Sequence, residues 1–144
     1  MFVGEYSHNI DAKGRIIIPA KFREQLGEQF MITKGFEGCL FVYPMDVWEE
    51  LAENLSKLPS NQKSARFLQR TFLSGAAEGE PDKQGKVLIT QLHREYASLT
   101  KEVAIIGVSK RVEIWDAQRW QEYSQSEDEM SVEEAAESME EISF

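Results

Sequence analysis

Residues 11–19 read DAKGRIIIP and residues 82–90 read DKQGKVLIT. Each is a turn bounded by Asp and Gly, then a basic residue and three aliphatics. Asp at the first and Gly at the fourth position are the residues a type I turn prefers at its ends, and a Gly there can take the positive φ from which a strand restarts. The Asp carboxylate can accept backbone N–H groups inside the turn. Asp11, Gly14, Asp82 and Gly85 are therefore read as structural turn residues. The residue after each glycine reads differently. Arg15 and Lys86 open runs whose next residues are apolar on both faces, so a cation there must be paired or must emerge beside the turn.

The two nonamers sit inside a longer match. At an offset of 71 residues Phe2 falls on Leu73, Gly4 on Gly75, Arg23 on Arg94 and Glu24 on Glu95. After one extra residue in the second copy the offset becomes 72, and Gly35 falls on Gly107, Leu40 on Val112, Val42 on Ile114, Tyr43 on Trp115 and Trp48 on Trp120. The chain is an internal duplication. Its expected division is a first unit at 2–48, linking helices at 49–72, a second unit at 73–120 and an acidic, flexible tail at 121–144. A unit of about 48 residues is too small to bury an adequate core by itself, so the two units are expected to share one.

Within a unit the pattern is strand-like. FVGEYSHNI mixes aromatic and β-branched residues with polar ones, RIIIP is a short apolar run closed by proline, and FMIT and CLFVY flank the glycines of KGFEG. PAKFREQLG reads as a short helix, with Pro19 at its first position and Gly27 at its end. Between the units, MDVWEELAENLSKL carries Val47, Leu51 and Leu55 at helical spacing, with Asp46 as a candidate N-cap and Pro59 beyond its end. SNQKSARFLQRTFL reads as a second helix, with Lys63, Arg66 and Arg70 close to one face and Phe67 and Leu68 available to pack. After Tyr123 the Ser- and Glu-rich tail carries a weak helical stripe of Val132, Ala136 and Met139, expected to be disordered or a loosely docked helix.

The net charge of −9 would discourage a polyanionic partner if it were evenly spread. It is not. Residues 121–144 hold nine of the 25 acidic residues and no Lys or Arg, which leaves 16 acids against 16 bases in residues 1–120. The body is neutral and can carry a basic face. Lys13 and Lys83 lie in the repeated turns, and Lys21, Arg23 and Arg94 follow on the short helices. Units paired about a pseudo-twofold axis would bring these cations and Arg15 and Lys86 to one surface. On residue types alone, a solvated set of charges and a polyanion-binding face stay equally open.

Other chemistry finds little support. No stretch of the chain is long and apolar enough to span a bilayer, and MFVGEYSHN lacks the basic region, apolar core and cleavage site of a secretory signal. Cys39 is the sole cysteine, so no internal disulfide can form; it sits in the apolar run GCLFVY and reads as a packed strand residue. His8 and His93 do not align at the repeat offset, and with Cys39 they give no zinc spacing. No phosphate-binding loop, nucleophile elbow or calcium loop is present, so neither an enzyme nor a metal or cofactor is expected.

DAKGRIIIPAKFRE, followed some seventy residues later by DKQGKVLI, resembles the MraZ family of bacterial transcription regulators, built from two SpoVT-AbrB-like units in one chain. The resemblance covers residues 1 to about 123 and rests on the DxxGR signature together with its duplication. It implies a mostly β fold with short helices, in which the tandem units interleave as a swapped-hairpin β-barrel. It also implies octameric or dodecameric rings, and double-stranded promoter DNA with short direct repeats as the partner. Repression of the chain's own division and cell-wall operon and a cytoplasmic, nucleoid-associated location come with it. The DNA-contacting candidates carried over by position are Arg15 and Lys86, with Lys13, Lys83, Lys21, Arg23 and Arg94 around them. Two positions depart from the family pattern: Lys86 stands where Arg is commoner and Thr90 where Pro is. Lys is a point charge without the planar fork that reads guanine, so the second unit is expected to position more than it specifies. The competing reading is a ring-forming protein-interaction protein without sequence-specific DNA binding, using Trp48, Trp115 and Trp120 as contacts.

Overall fold

The computed structural model describes residues 1–126 and 130–144, so Glu127, Asp128 and Glu129 of the acidic tail lie outside the described residues. In chain order the first copy supplies β1 (Phe2–Asn9), β2 (Arg15–Ile17), α1 (Ala20–Leu26), β3 (Phe30–Lys34), a 3-10 turn at Phe36–Gly38 and β4 (Leu40–Pro44). Helices α2 (Met45–Ser56) and α3 (Lys63–Ser74) link it to the second copy. That copy repeats the series as β5 (Ala77–Gly79), β6 (Lys86–Leu88), α4 (Gln91–Tyr96), β7 (Glu102–Ser109) and β8 (Arg111–Asp116), before α5 (Ala117–Ser124) and α6 (Val132–Ser138). More of the described residues lie in helix than in strand, so the fold is mixed, an antiparallel sheet framed by short helices.

The copies exchange strands. A six-stranded sheet runs in the order β1-β7-β8-β4-β3-β5, and β2 pairs with β6 in a separate two-stranded ribbon. Thus β1 of the first copy pairs with β7 of the second, and β5 of the second pairs with β3 of the first. The registers reveal a pseudo-twofold axis. Phe41 faces its own repeat equivalent Glu113, flanked by Leu40 opposite Ile114 and Val42 opposite Val112. In the ribbon Ile16 faces its equivalent Val87, flanked by Arg15 opposite Leu88 and Ile17 opposite Lys86. Sheet and ribbon remain two ladders, with β1 and β5 as the edges of the larger one, and no closed barrel forms among the described residues. The reason is length: β2 and β6 have three residues each and pair only with one another.

Strand alternation divides the apolar residues between the two faces of the sheet. Leu40, Val42, Val103, Ile105, Val112 and Ile114 pack with Ile16, Ile18, Val87 and Ile89 of the ribbon segments and with Phe22 of α1. Phe41, Tyr43, Ala104, Ile106 and Trp115 pack on the other face with Trp48 and Leu55 of α2 and Phe72 of α3. The ribbon and the linking helices therefore lie on opposite sides of the sheet.

Helix details refine the expectations. Helix α1 begins after Pro19 and ends at Gly27 (φ 83°), whose N–H donates to the Arg23 carbonyl at 3.0 Å. Asp46 is not an N-cap: α2 starts at Met45, which places Asp46 in the first turn, where its charge complements the helix dipole without a capping bond. In α3 the inward stripe is Ala65, Gln69 and Phe72, at i, i+4 and i+7, with Gln69 Nε2 donating to the Leu55 carbonyl at 2.8 Å. Phe67 and Leu68 are left on the outer surface. Helix α6 buries none of its residues, so of the stripe Val132 and Met139 stay exposed and Ala136 is only half-buried among the described residues. No helix of the described residues is long and apolar enough to cross a membrane.

Candidate nucleic-acid interface

The two turns are built alike, bond for bond. Gly14 N–H donates to the Asp11 carbonyl at 3.0 Å and Gly85 N–H to that of Asp82 at 2.9 Å. The Asp11 carboxylate accepts the backbone N–H groups of Lys13 and Arg15, both at 2.9 Å, and that of Asp82 accepts those of Gln84 and Lys86 at 2.8 and 2.9 Å. Both glycines take the left-handed conformation, with φ of 81° and 79°. Crosswise bonds join the turns to the opposite strand: Ile89 N–H donates to the Gly14 carbonyl at 2.9 Å, and Ile18 N–H to the Gly85 carbonyl at 3.3 Å. The paired ribbon thus holds the two Asp-to-Gly turns beside one another.

The side chains then interlock. Arg15 Nε donates to Asp11 Oδ2 at 3.0 Å, and its Nη1 reaches Asp82 Oδ2, in the other copy, at 3.5 Å. Lys86 Nζ lies 3.7 Å from Asp11 Oδ2. The pairing is unequal: the arginine touches both aspartates and the lysine only one. Backbone N–H donation, from Arg15 to Asp11 and from Lys86 to Asp82, is the main reason both carboxyls sit below the usual carboxylate range. Among the described residues Arg15 Nη2 has no partner, so part of the guanidinium remains uncommitted.

The other cations divide into two groups. Lys13, Lys83 and Lys21 are exposed. Arg23 and Arg94 are half-buried, and neither pairs with the acid that follows it. Their guanidiniums occupy the space that a Cβ at Gly85 and at Gly14, respectively, would need, so each arginine braces the turn of the other copy. Arg94 Nη1 also donates to the Ile89 carbonyl, whereas Arg23 Nε is buried without a partner among the described residues.

Sequence reasoning missed Ile17 and Leu88. The unbroken runs of three aliphatics give no sign of an outward position, yet these two residues are 39% and 55% exposed. The period of two explains it: Ile16 and Ile18, and Val87 and Ile89, turn inward, so the residue between faces out. Register then sets Leu88 opposite Arg15 and Ile17 opposite Lys86, making the outer face of the ribbon alternate cation and aliphatic.

The profile of the MraZ protein family matches this chain twice, at residues 1–71 and 72–142. The chain belongs to the MraZ family. It is 55% identical over 139 residues, 96% of each chain, to a protein of Acetivibrio thermocellus named transcriptional regulator MraZ. Proteins of the same name from Lactobacillus gasseri and Thermoanaerobacter sp. share 49% identity over 99% of each chain and 52% over the full length of both.

Membership in the MraZ family leaves individual departures to be read in the structure. Thr90, which falls on Pro19 of the first copy, caps α4, its Oγ1 accepting the His93 N–H at 3.2 Å. His93 itself is buried, donates from Nε2 to the Gly75 carbonyl at 2.6 Å and is held below the usual histidine range mainly by burial. It stands where Phe22 packs in the first copy. Cys39 is buried beside β4, and that burial pushes its thiol well above the range in which thiolate forms. Trp48 and Trp115 are buried and Trp120 is half-buried, with Trp120 Nε1 donating to Glu5 Oε1 at 2.9 Å. Trp48 and Trp115 belong to the core, and Trp120 packs against its edge. Among the described residues no group of three or more His, Cys, Asp and Glu side chains is placed to hold a metal ion.

Proposed function

We propose that this chain is a sequence-specific, double-stranded DNA-binding transcriptional regulator that represses its own division and cell-wall operon at short direct repeats in the promoter. The observation that carries the reading is the paired ribbon, which sets two equivalent Asp-to-Gly turns and their cations side by side. Its close relatives, named transcriptional regulators, support it. A two-stranded β-ribbon fits the major groove, where base edges can be told apart. Arg15 is the base reader. Lys86, Lys13, Lys83 and Lys21 neutralise phosphates and fix the register, since phosphate contacts position while base contacts specify. Arg23 and Arg94 act from behind by bracing the turns. Ile17 and Leu88, exposed between the cations, meet the 5-methyl group of thymine.

Units 2–48 and 73–120, joined through 49–72 and followed by 121–144, interleave to form one such reader per chain. A few cations bind duplex weakly at physiological salt, because their favourable contribution is mainly counterion release. Protomers closed into an octameric or dodecameric ring, acting in the cytoplasm at the nucleoid, would engage successive repeats and gain affinity through effective concentration.

The test is a gel-shift titration of the chain's own promoter fragment against a scrambled duplex and against a promoter duplex with uracil in place of thymine. The promoter should bind more tightly than the scrambled duplex, with strong salt dependence. Uracil substitution should weaken binding by the wild type but not by Ile17→Ala, Leu88→Ala. Equal affinity for promoter and scrambled duplex would reject sequence-specific recognition. A chain that assembles yet shifts no duplex would instead be a protein-interaction ring.

A further inference from the structure

The unpacked outer face of α3 and the unpacked tail have matching chemistry. On α3, Phe67 is 70% exposed, and it shares one cleft with Lys63, Arg66, Leu68 and Arg70. Phe67 and Leu68 also border a second concavity with Phe36, itself 56% exposed, and Tyr96. The apolar surface is therefore contiguous rather than a scatter of single exposed side chains, which would need no explanation. Beside it, Lys63 and Arg70 have no ion-pair partner among the described residues, and Arg66 is engaged only by donation to the Ser60 carbonyl at 3.0 Å. This face lies across the sheet from the ribbon, so covering it leaves the proposed DNA surface free.

The C-terminal segment is its complement. From residue 120 onward the chain has no Lys or Arg, and the described part of the tail carries Glu133, Glu134, Glu137, Glu140 and Glu141. None of these glutamates has an ion-pair partner among the described residues. Interspersed are apolar side chains with no bed: Val132 is 80% and Phe144 is 96% exposed, and Met139 and Ile142 are exposed as well. Ser131 caps α6 by accepting the Glu134 N–H at 3.1 Å, so the segment is ready to present as a helix.

We propose that the acidic tail of one copy, residues 130–144, docks on the α3 face of a second copy, pairing its glutamates with Lys63, Arg66 and Arg70 and covering Phe67, Leu68 and Phe36. Apolar side chains would form the centre and charges the rim, and opposite potentials would select the partner. The proposal rests on the oligomeric part of the reading above and is independent of its DNA contact.

The experiment compares the mass in solution of the full chain, a chain ending at Gln125, and the variant Lys63→Glu, Arg66→Glu, Arg70→Glu, by sedimentation at low and high salt. Tryptophan fluorescence serves as the check on folding, since neither site is in the core. The full chain should associate, the truncated chain and the α3 variant should shift to smaller species, and Glu133→Lys, Glu134→Lys, Glu137→Lys in the tail should restore association of the α3 variant. Undiminished assembly of the truncated chain would overturn the tail interface while leaving the ring itself standing. A monomeric full chain would sink both. An α3 variant that assembles normally but loses DNA binding would show α3 to be a nucleic-acid surface and would also overturn the proposal.

Discussion

Arg15 is held by two aspartates, one four residues before it and one sixty-seven residues after it. Only the first is visible as a local pattern, because a carboxylate that caps its own turn is naturally within reach of the residue that leaves it. The second reaches Arg15 through ribbon pairing. Asp11 spends its Oδ1 on two backbone N–H groups and its Oδ2 on the guanidinium, so it fixes turn and arginine together. Removing the arginine side chain leaves those backbone bonds in place. Arg15→Ala is therefore expected to keep the fold and to lower operator affinity by about 1 to 3 kcal/mol if the contact is bidentate to a base. Lys86→Ala should instead weaken promoter and scrambled duplex alike. Unaltered operator binding by an intact Arg15→Ala assembly in a gel-shift titration would remove this residue from the interface. The outward placement of Ile17 and Leu88 was legible in principle, from the alternation that sends their neighbours inward. An unbroken run of three aliphatics concealed it, because no polar residue marks the outward position.

At the scale of elements, the ribbon stands out. Strands of three residues make few ladder bonds, so β2 and β6 hold their place through the side chains they bury: Ile16, Ile18, Val87 and Ile89 all lie in the core beneath the turns. Ile16 and Val87 face each other on the pseudo-twofold axis, which makes their packing common to both turns. Ile16→Ala should cost about 2 to 5 kcal/mol, the range for truncating a fully buried aliphatic. Urea unfolding followed by tryptophan fluorescence checks this, and a loss below about 1 kcal/mol would mean the ribbon does not depend on this contact. Helices were harder to read than strands. Helical spacing correctly gave α2 its buried Leu55, but in α3 the bulky Phe67 and Leu68 outshone the quieter inward stripe of Ala65, Gln69 and Phe72. A helix's inner face is set by what it lands on, here the Leu55 carbonyl and β3, and not by which of its residues is most apolar.

For the whole molecule, strand exchange is decisive. A separate first copy would keep the β3–β4 hairpin but lose β7 beside β1, β8 beside β4 and β6 beside β2. Residues 1–71 expressed alone are therefore expected to give no folded monomer. Sedimentation and circular dichroism should find them unfolded at low concentration and structured only in a dimer that supplies the missing strands. A stable folded monomer would contradict the shared core. Duplication, turn chemistry, the strands and short helix of the first copy, the two linking helices, and the split between a neutral body and an acidic tail were determined by the sequence alone, because each depends on residue type and local spacing. Which strand pairs with which, the absence of a closed barrel among the described residues, the second aspartate on Arg15, the arginines bracing the opposite turns and the bare face of α3 were decided only by tertiary structure. Each depends on which distant residues meet and which do not, and that follows from how two incomplete units bury one core.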